Sequence, residues 1–370
     1  MREDAVVHRP RWSTSSVHGS GRGGPHTPAG TETPRVHPLL ELSARRRGGV
    51  FTVDDARRAG YGPDDVRSAV RTRAWHRLRR GVYVPTAQWL ALAEDLRARH
   101  LLLCAAALAV LDPGPVLSHA SAARYHHLVL PRGTDDDVRL THTGEWRCGR
   151  GYRIAAAALP AEDHVDAGPF RVTSAARTLV DCARDWPLVD AVVAMDAAVQ
   201  DRRVGRAALE AAVLRQTHWV GIGVAARALG LADGRAESPL ETRGRLALLE
   251  AGLPRPELQV ELHGAGGFLG RVDAWYDEAA VAVEFDGRVK YAAPRDGRAP
   301  EAVLWEEKRR EDRIRDHGVR VVRVTGEDLR PAGPVLARVA GLLGRSPAGP
   351  RSFRAVRCAE PGTDPEDAVA

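Results

Sequence analysis

The residue types best able to do chemistry lie in the last third of the chain, where Asp273, Glu284 and Asp286 fall on two neighbouring strand-like stretches. Leu269 to Tyr276 and Val281 to Gly287 are separated by Glu278-Ala279, short enough for a two-residue hairpin loop. Such a loop pairs Asp277 with Ala280, Trp275 with Ala282, and Asp273 with Glu284. Directly opposed residues point to the same face, with Cβ atoms about 4.5–5.5 Å apart. Alternation adds Asp286 to that face and turns Val283 and Phe285 into the core. Three carboxylates on one patch of sheet repel one another unless something offsets them. A divalent cation is the simplest offset, and an all-oxygen set favours Mg²⁺ or Mn²⁺ over zinc. The plainer alternative is a sheet end carrying solvated acids.

Several elements must position these residues. Glu237-Ser238-Pro239-Leu240-Glu241 opens a helix that runs to about Ala251, and Gly252 ends it. Gln259 to Leu262 reads as a strand, followed by a glycine turn at 264–267. Glu301 to His317 reads as a charged helix carrying Trp305, Glu307, Lys308, Asp312 and Ile314. Gly318 breaks it, and Val319 to Val324 forms a largely buried strand. Strand, helix, strand implies a parallel crossover, so a mixed α/β domain is expected over 237–343.

The front of the chain offers different chemistry. Thr52 with Asp55 makes a capping-box-like helix start, Gly60 closes that helix, and Pro63 suits a first turn. In the next helix Val66, Ala69 and Val70 share one face, with Arg67 and Arg71 opposite. A strand through Arg77, Arg79 and Arg80 turns at Gly81 into Val82-Tyr83-Val84. Helix, helix, arginine-bearing helix and basic hairpin is the order of a winged helix-turn-helix over 38–84. Its arginines, Arg67, Arg71, Arg77, Arg79 and Arg80, would face DNA phosphates and base edges. An amphipathic helix with a solvated arginine face gives the same pattern.

Between them, residues 98–230 read as a mainly helical middle domain without chemistry. His119, His126 and His127 lack metal-ligand spacing, Gly221-Ile222-Gly223 lacks the rest of a dinucleotide fingerprint, and no GxSxG elbow occurs. Residues 1–37 and 345–370 are poor in apolar residues and are expected to be disordered tails. With 370 residues, 44% hydrophobic and 28% charged, the chain has room for two or three globular domains. The longest apolar run, Leu101 to Leu111, is too short to cross a bilayer, so no membrane partner is expected. No apolar segment follows the N-terminus as in a signal peptide, and four scattered cysteines form no CxxC pair, so a cytoplasmic setting is expected. A net charge of +6 permits nucleic-acid binding without establishing it.

The C-terminal motifs resemble the PD-(D/E)XK nuclease superfamily, whose fold is that of restriction endonucleases. The match is nearest to its branch related to the very-short-patch mismatch-repair endonuclease. It rests on the acidic helix start, the Asp273 strand, Val283-Glu284-Phe285-Asp286-Gly287, the charged helix and Gly318-Val319-Arg320-Val321-Val322-Arg323. The front half is similar to AbiEi-type antitoxins through Gly48-Gly49-Val50-Phe51, Arg80-Gly81-Val82-Tyr83, Ser118 to Ala123 and Thr173 to Leu179. The resemblance implies Asp273 and Glu284 as metal ligands, with Glu241 acting through a metal-bound water. Asp286 stands where the family's catalytic lysine belongs. The resemblance implies that such a lysine can migrate to a neighbouring helix, which singles out Lys308, with Lys290 second. In a chain whose other basic side chains are arginines, these two lysines are the compact ammonium groups available.

Three functions follow as expectations. The first is a DNA-binding, Mg²⁺- or Mn²⁺-dependent endonuclease hydrolysing phosphodiester bonds. The second is a non-catalytic, antitoxin-like transcriptional regulator that uses the nuclease fold to hold DNA or a partner. The third is an adaptor whose middle helices bind a cognate toxin protein.

Overall fold

Local caps and short hairpins shape the front of the chain in the computed structural model, which describes residues 36–111, 113–287, 300–329, 333–346 and 351–358. The elements here are α1 (Pro38–Arg46), β1 (Phe51–Thr52), α2 (Val53–Arg58), α3 (Pro63–Arg71), β2 (Trp75–Arg79) and β3 (Val82–Pro85). The expected capping box is present: Asp55 N donates to Thr52 Oγ1 at 3.2 Å, and Thr52 N donates to Asp55 Oδ2 at 2.9 Å. These bonds satisfy amides that a helix start leaves without partners. The three strands form an antiparallel sheet in the order β1-β3-β2. Helix, strand, two helices and a two-stranded wing reproduce the arrangement read from the sequence.

The next region adds a sheet to the part of the chain expected to be mainly helical. It comprises α4 (Thr86–Ala91), α5 (Leu96–Leu108), β4 (Val116–Leu117), α6 (His119–Tyr125), β5 (Val138–His142), β6 (Arg147–Gly149), β7 (Tyr152–Ala156), β8 (His164–Ala167) and β9 (Phe170–Thr173). Its strands form a six-stranded mixed sheet ordered β6-β7-β5-β4-β9-β8. They are two to five residues long, so the alternation in Val138-Arg139-Leu140-Thr141 and Phe170-Arg171-Val172-Thr173 is too brief to mark a sheet. Tertiary pairing, rather than local propensity, makes them strands. Val50, Val82 and Val84 of the winged part share one core with Leu102 on α5 and Leu117, Leu140 and Val172 on the sheet.

Helices follow: α7 (Ala175–Asp185), α8 (Leu188–Gln200), α9 (Arg206–Arg215) and α10 (Ile222–Leu231). They close a second core around Leu179, Val180, Met195 and Leu209.

The last part contains α11 (Pro239–Glu250), β10 (Glu257–Gly264), β11 (Gly267–Tyr276), β12 (Val281–Asp286), α12 (Pro300–Asp316), β13 (Arg320–Thr325), α13 (Pro334–Leu343) and β14 (Phe353–Val356). The sheet order is β13-β12-β11-β10-β14, with β12 and β13 parallel and the other pairs antiparallel. The expected crossover from β12 through α12 to β13 is present. One face carries Ala274, Val283, Phe285, Val322 and Val324 against Leu248 of α11 and Val339 of α13. The other carries Val260, Val272, Ala282 and Val321 against Ile314 of α12.

The strand β14 corrects the expectation of a disordered tail beyond 345. Phe353 to Val356 pairs with Glu261 to Gly264, covering an edge of β10 that would otherwise stay open. The expectations for residues 1–35 and 359–370, and for Lys290, lie outside the described residues.

Candidate functional site

On the five-stranded sheet, β11 and β12 pair Tyr276 with Val281, Trp275 with Ala282 and Ala274 with Val283. Asp273 and Glu284 are the next residues beyond this paired register. A backbone-to-side-chain bond ties the pair of strands there, with Phe285 N donating to Asp273 Oδ2 at 2.8 Å. Val283 and Phe285 are buried, while Asp273, Glu284 and Asp286 are half-buried on the opposite face, beneath α12.

Cations of the protein itself reach these acids. Arg310 on α12 donates from Nη1 to the Arg271 carbonyl at 2.6 Å and lies 3.4 Å from Glu284 Oε2 through Nη2. Arg323, beside Glu284 in the β12–β13 register, reaches Asp286 at 3.9 Å and Glu311 at 2.5 Å. Arg310 packs on β11 because Gly270 has no side chain: a Cβ there would lie 3.1 Å from Arg310 Cγ and 2.9 Å from Ile314 Cδ1.

Lys308 is exposed. At about 100° per residue it lies about 200° around the helix from Arg310, away from the sheet. The structure therefore does not bring Lys308 to the acids. Arg310, which the sequence reading passed over, is the α12 cation that reaches them. Its signal was present: Arg310 and Ile314 are four apart, and Ile314 was assigned to the same helix.

Glu241 sits in the first turn of α11, where Ser238 caps the helix by accepting from Glu241 N at 3.2 Å. Its Oε2 accepts from Glu237 N at 2.8 Å and from Gln259 Nε2 at 3.0 Å. Gln259 holds a left-handed backbone, φ 53°, inside β10. That strained conformation, uncommon for a residue with a side chain, aims its amide at the carboxylate. Burial raises the Glu241 carboxyl above its ordinary range, and the charge of Asp273 raises it further. Glu241 and Asp273 are thus electrostatic neighbours. The approach of α11 is fixed by Gly244, where a Cβ would come within 1.9 Å of Phe285 Cε1.

Among the described residues no group of three or more His, Cys, Asp or Glu side chains gathers to hold a metal ion. Glu241 Oε2 accepts from Glu237 N and Gln259 Nε2, Asp273 Oδ2 from Phe285 N, and Glu284 Oε2 from Arg310 Nη2.

The second candidate surface is the winged part. Val66 is buried beneath α3, Ala69 and Val70 are half-buried, and Arg67 and Arg71 are exposed. Arg67 pairs with Asp64 within its own helix. Arg71, Arg77 and Arg80 are exposed and enter no ion pair among the described residues. Arg73, exposed just after α3 with φ 58°, adds a basic group that helical periodicity did not single out. Arg79 behaves differently from its neighbours. Its Nη2 donates to the Gly151 carbonyl at 3.0 Å, and its guanidinium lies 5.1 Å from the Tyr152 ring centroid. Partial burial lowers its pKa. It anchors the wing to the six-stranded sheet rather than facing outward with the others.

Two of the histidines, the buried His100 and the half-buried His126, serve packing. His100 Nε2 lies 2.9 Å from Ser121 Oγ, and burial pushes the ring down to a pKa of about 3. His126 Nε2 bonds the Thr173 carbonyl at 2.7 Å.

Comparison with known proteins places a familiar motif on the winged part. Residues 38–86 match a family model described as transcriptional regulator, AbiEi antitoxin. Two relatives in Mycobacterium tuberculosis, the uncharacterized proteins MT2308 and Rv2248, are each 35% identical over 175 residues. The match covers 47% of this chain and 62% of each relative, so the chain spans less than two thirds of their length. The crystal structure of the RV2827C protein from Mycobacterium tuberculosis aligns over 60% of this chain and 82% of that one, at 17% identity and a TM-score of 0.33. Among the described residues no helix is long and apolar enough to cross a membrane. The front of the chain, residues 38–86, is thus similar to the AbiEi antitoxin family of transcriptional regulators.

Proposed function

We propose that the protein is a DNA-binding transcriptional regulator of the antitoxin kind. The observation that carries this reading is the exposed set Arg71, Arg77 and Arg80 on a winged helix-turn-helix, in the segment that matches a transcriptional-regulator family. In such a motif the second helix of the pair enters the major groove and the wing lies along the backbone. Here α3 brings Arg67 and Arg71, and the β2–β3 hairpin brings Arg77 and Arg80. Arg67 would exchange Asp64 for a phosphate. The five-stranded domain acts as a platform for DNA or for a protein partner such as a cognate toxin, its acids neutralised by Arg310 and Arg323. Footprinting on the DNA upstream of the protein's own coding region tests the reading. A protected site of one or two helical turns supports it, and uniform cleavage at saturating protein removes it.

The tie between β11 and β12 at Asp273 supports a second reading, a Mg²⁺- or Mn²⁺-dependent deoxyribonuclease using Asp273, Glu284 and Glu241. Its support is the bond from Phe285 N, next to Glu284, to Asp273 Oδ2 together with the electrostatic closeness of Glu241 and Asp273. Incubation of supercoiled plasmid with wild type and Glu284→Ala in Mn²⁺ decides between the two. Nicking by wild type alone supports the nuclease.

A further inference from the structure

The wing does not stand alone. The β2–β3 hairpin turns through Arg80-Gly81, and Gly81 takes a left-handed φ of 77°. In the six-stranded sheet, β6 and β7 pair Gly149 with Tyr152, leaving Arg150-Gly151 as a two-residue loop with Gly151 at φ 71°. Both tips therefore present an arginine followed by the glycine that a tight turn requires. Arg80 and Arg150 are both exposed.

The two tips are neighbours. Arg79, next to Arg80, donates to the carbonyl of Gly151, next to Arg150. A Cβ on Gly151 would come to 3.4 Å from the Arg79 Nη2 atom. Tyr152 holds the contact from below. Its ring faces the Arg79 guanidinium at 5.1 Å, and its hydroxyl accepts from Arg147 Nε at 3.1 Å. Gly149 keeps the second hairpin narrow, since a Cβ there would lie 2.3 Å from the Tyr152 ring. The nearby acids are already matched: Arg153 lies 3.3 Å from Asp135 and 2.9 Å from Asp137. They leave the charge of Arg150 uncancelled. Arg150 itself takes part in no hydrogen bond or ion pair among the described residues.

We infer that the β6–β7 hairpin is a second wing, whose Arg150 binds the phosphate backbone of duplex DNA beside Arg80. Arg79 is the positioning residue that fixes the spacing of the two tips. This rests on the DNA-binding reading above and extends the interface into the six-stranded sheet, outside the segment that matches the regulator family. A backbone contact of this kind is indifferent to sequence, so its loss lowers affinity for specific and random duplex alike.

The test is fluorescence anisotropy of a labelled duplex titrated with the full chain over a range of salt concentrations. Wild type, Arg150→Ala, Arg150→Glu and Arg71→Ala are compared, with circular dichroism as a check on folding. Arg150→Ala is expected to reduce the slope of log K against log salt by about 0.9, equally on specific and scrambled duplex. Arg150→Glu should weaken binding further. An unchanged slope in Arg150→Ala, with binding weakened in Arg71→Ala, overturns the second wing alone. Absence of duplex binding by wild type overturns the regulator reading and the second wing together.

Discussion

Arg310 of α12 lies 3.4 Å from Glu284 of β12. The guanidinium is held twice, by the Glu284 carboxylate and by the Arg271 carbonyl, so it reaches across from α12 to the acid-bearing face of the sheet. A divalent cation would have to compete with it for Glu284.

Arg310→Ala should therefore raise the affinity of the protein for Mn²⁺. A partly exposed ion pair is worth about 1 kcal/mol, which corresponds to about fivefold in affinity. Isothermal calorimetry of wild type, Arg310→Ala and Arg310→Ala with Asp273→Ala would read this directly. Binding gained in the single variant and lost in the double is expected. Equal heats in wild type and Arg310→Ala would show that the arginine does not guard the acids.

Gly244 sets how closely α11 approaches β12, and with it the position of Glu241. A methyl at this position would overlap the Phe285 ring, with 1.9 Å between Cβ and Cε1. Neither the helix backbone nor the buried ring can yield freely, so Gly244→Ala is expected to destabilise by about 1–3 kcal/mol. In an exposed helix the same change is stabilising. Chemical denaturation distinguishes the two signs.

A buried polar junction joins α8 to α11. Asp196 accepts from Arg245 Nη2 at 2.8 Å, from Thr242 Oγ1 at 2.8 Å and from Asp233 N at 2.7 Å. Burial nonetheless raises its pKa from 3.8 to about 6, outweighing these partners. A carboxyl whose folded pKa is raised binds its proton more tightly in the folded state. Its contribution is then fully present below pH 3.8 and lost as pH rises through about 6. Wild type should lose stability relative to Asp196→Asn between these limits, with no further change above pH 7. Denaturant midpoints at pH 4.5, 5.5, 6.5 and 7.5 measure it. A difference that does not vary with pH would contradict the raised carboxyl.

How much of this was legible in the sequence follows from where each signal lives. Thr52 with Asp55, and the spacing of Val66 to Arg71, are local, so the winged part could be read from them. The β11–β12 register was equally readable, because a two-residue loop leaves one alternation free to choose. The six-stranded sheet was not, since Val138 to His142 and Tyr152 to Ala156 become strands only when they find each other across the chain. Arg79 and Arg310 share this dependence on distant partners. Nothing within three residues of Arg79 marks it as the one wing arginine turned to Gly151 and Tyr152. Lys308 stood out by residue type, yet the turn of α12 gave the sheet-facing place to Arg310. Phe353 to Val356 looked like tail because its partner, β10, lies about ninety residues earlier in the chain.

The measurement that bears most directly on the central claim is the salt dependence of duplex binding by wild type and by the triple variant Arg71→Ala, Arg77→Ala, Arg80→Ala. Wild type should bind with an affinity that falls steeply as salt rises. The triple variant should lose about 0.9 of slope for each arginine removed, with its fold intact. Binding that is insensitive to salt, or equal in the two proteins, would contradict a DNA-reading winged helix.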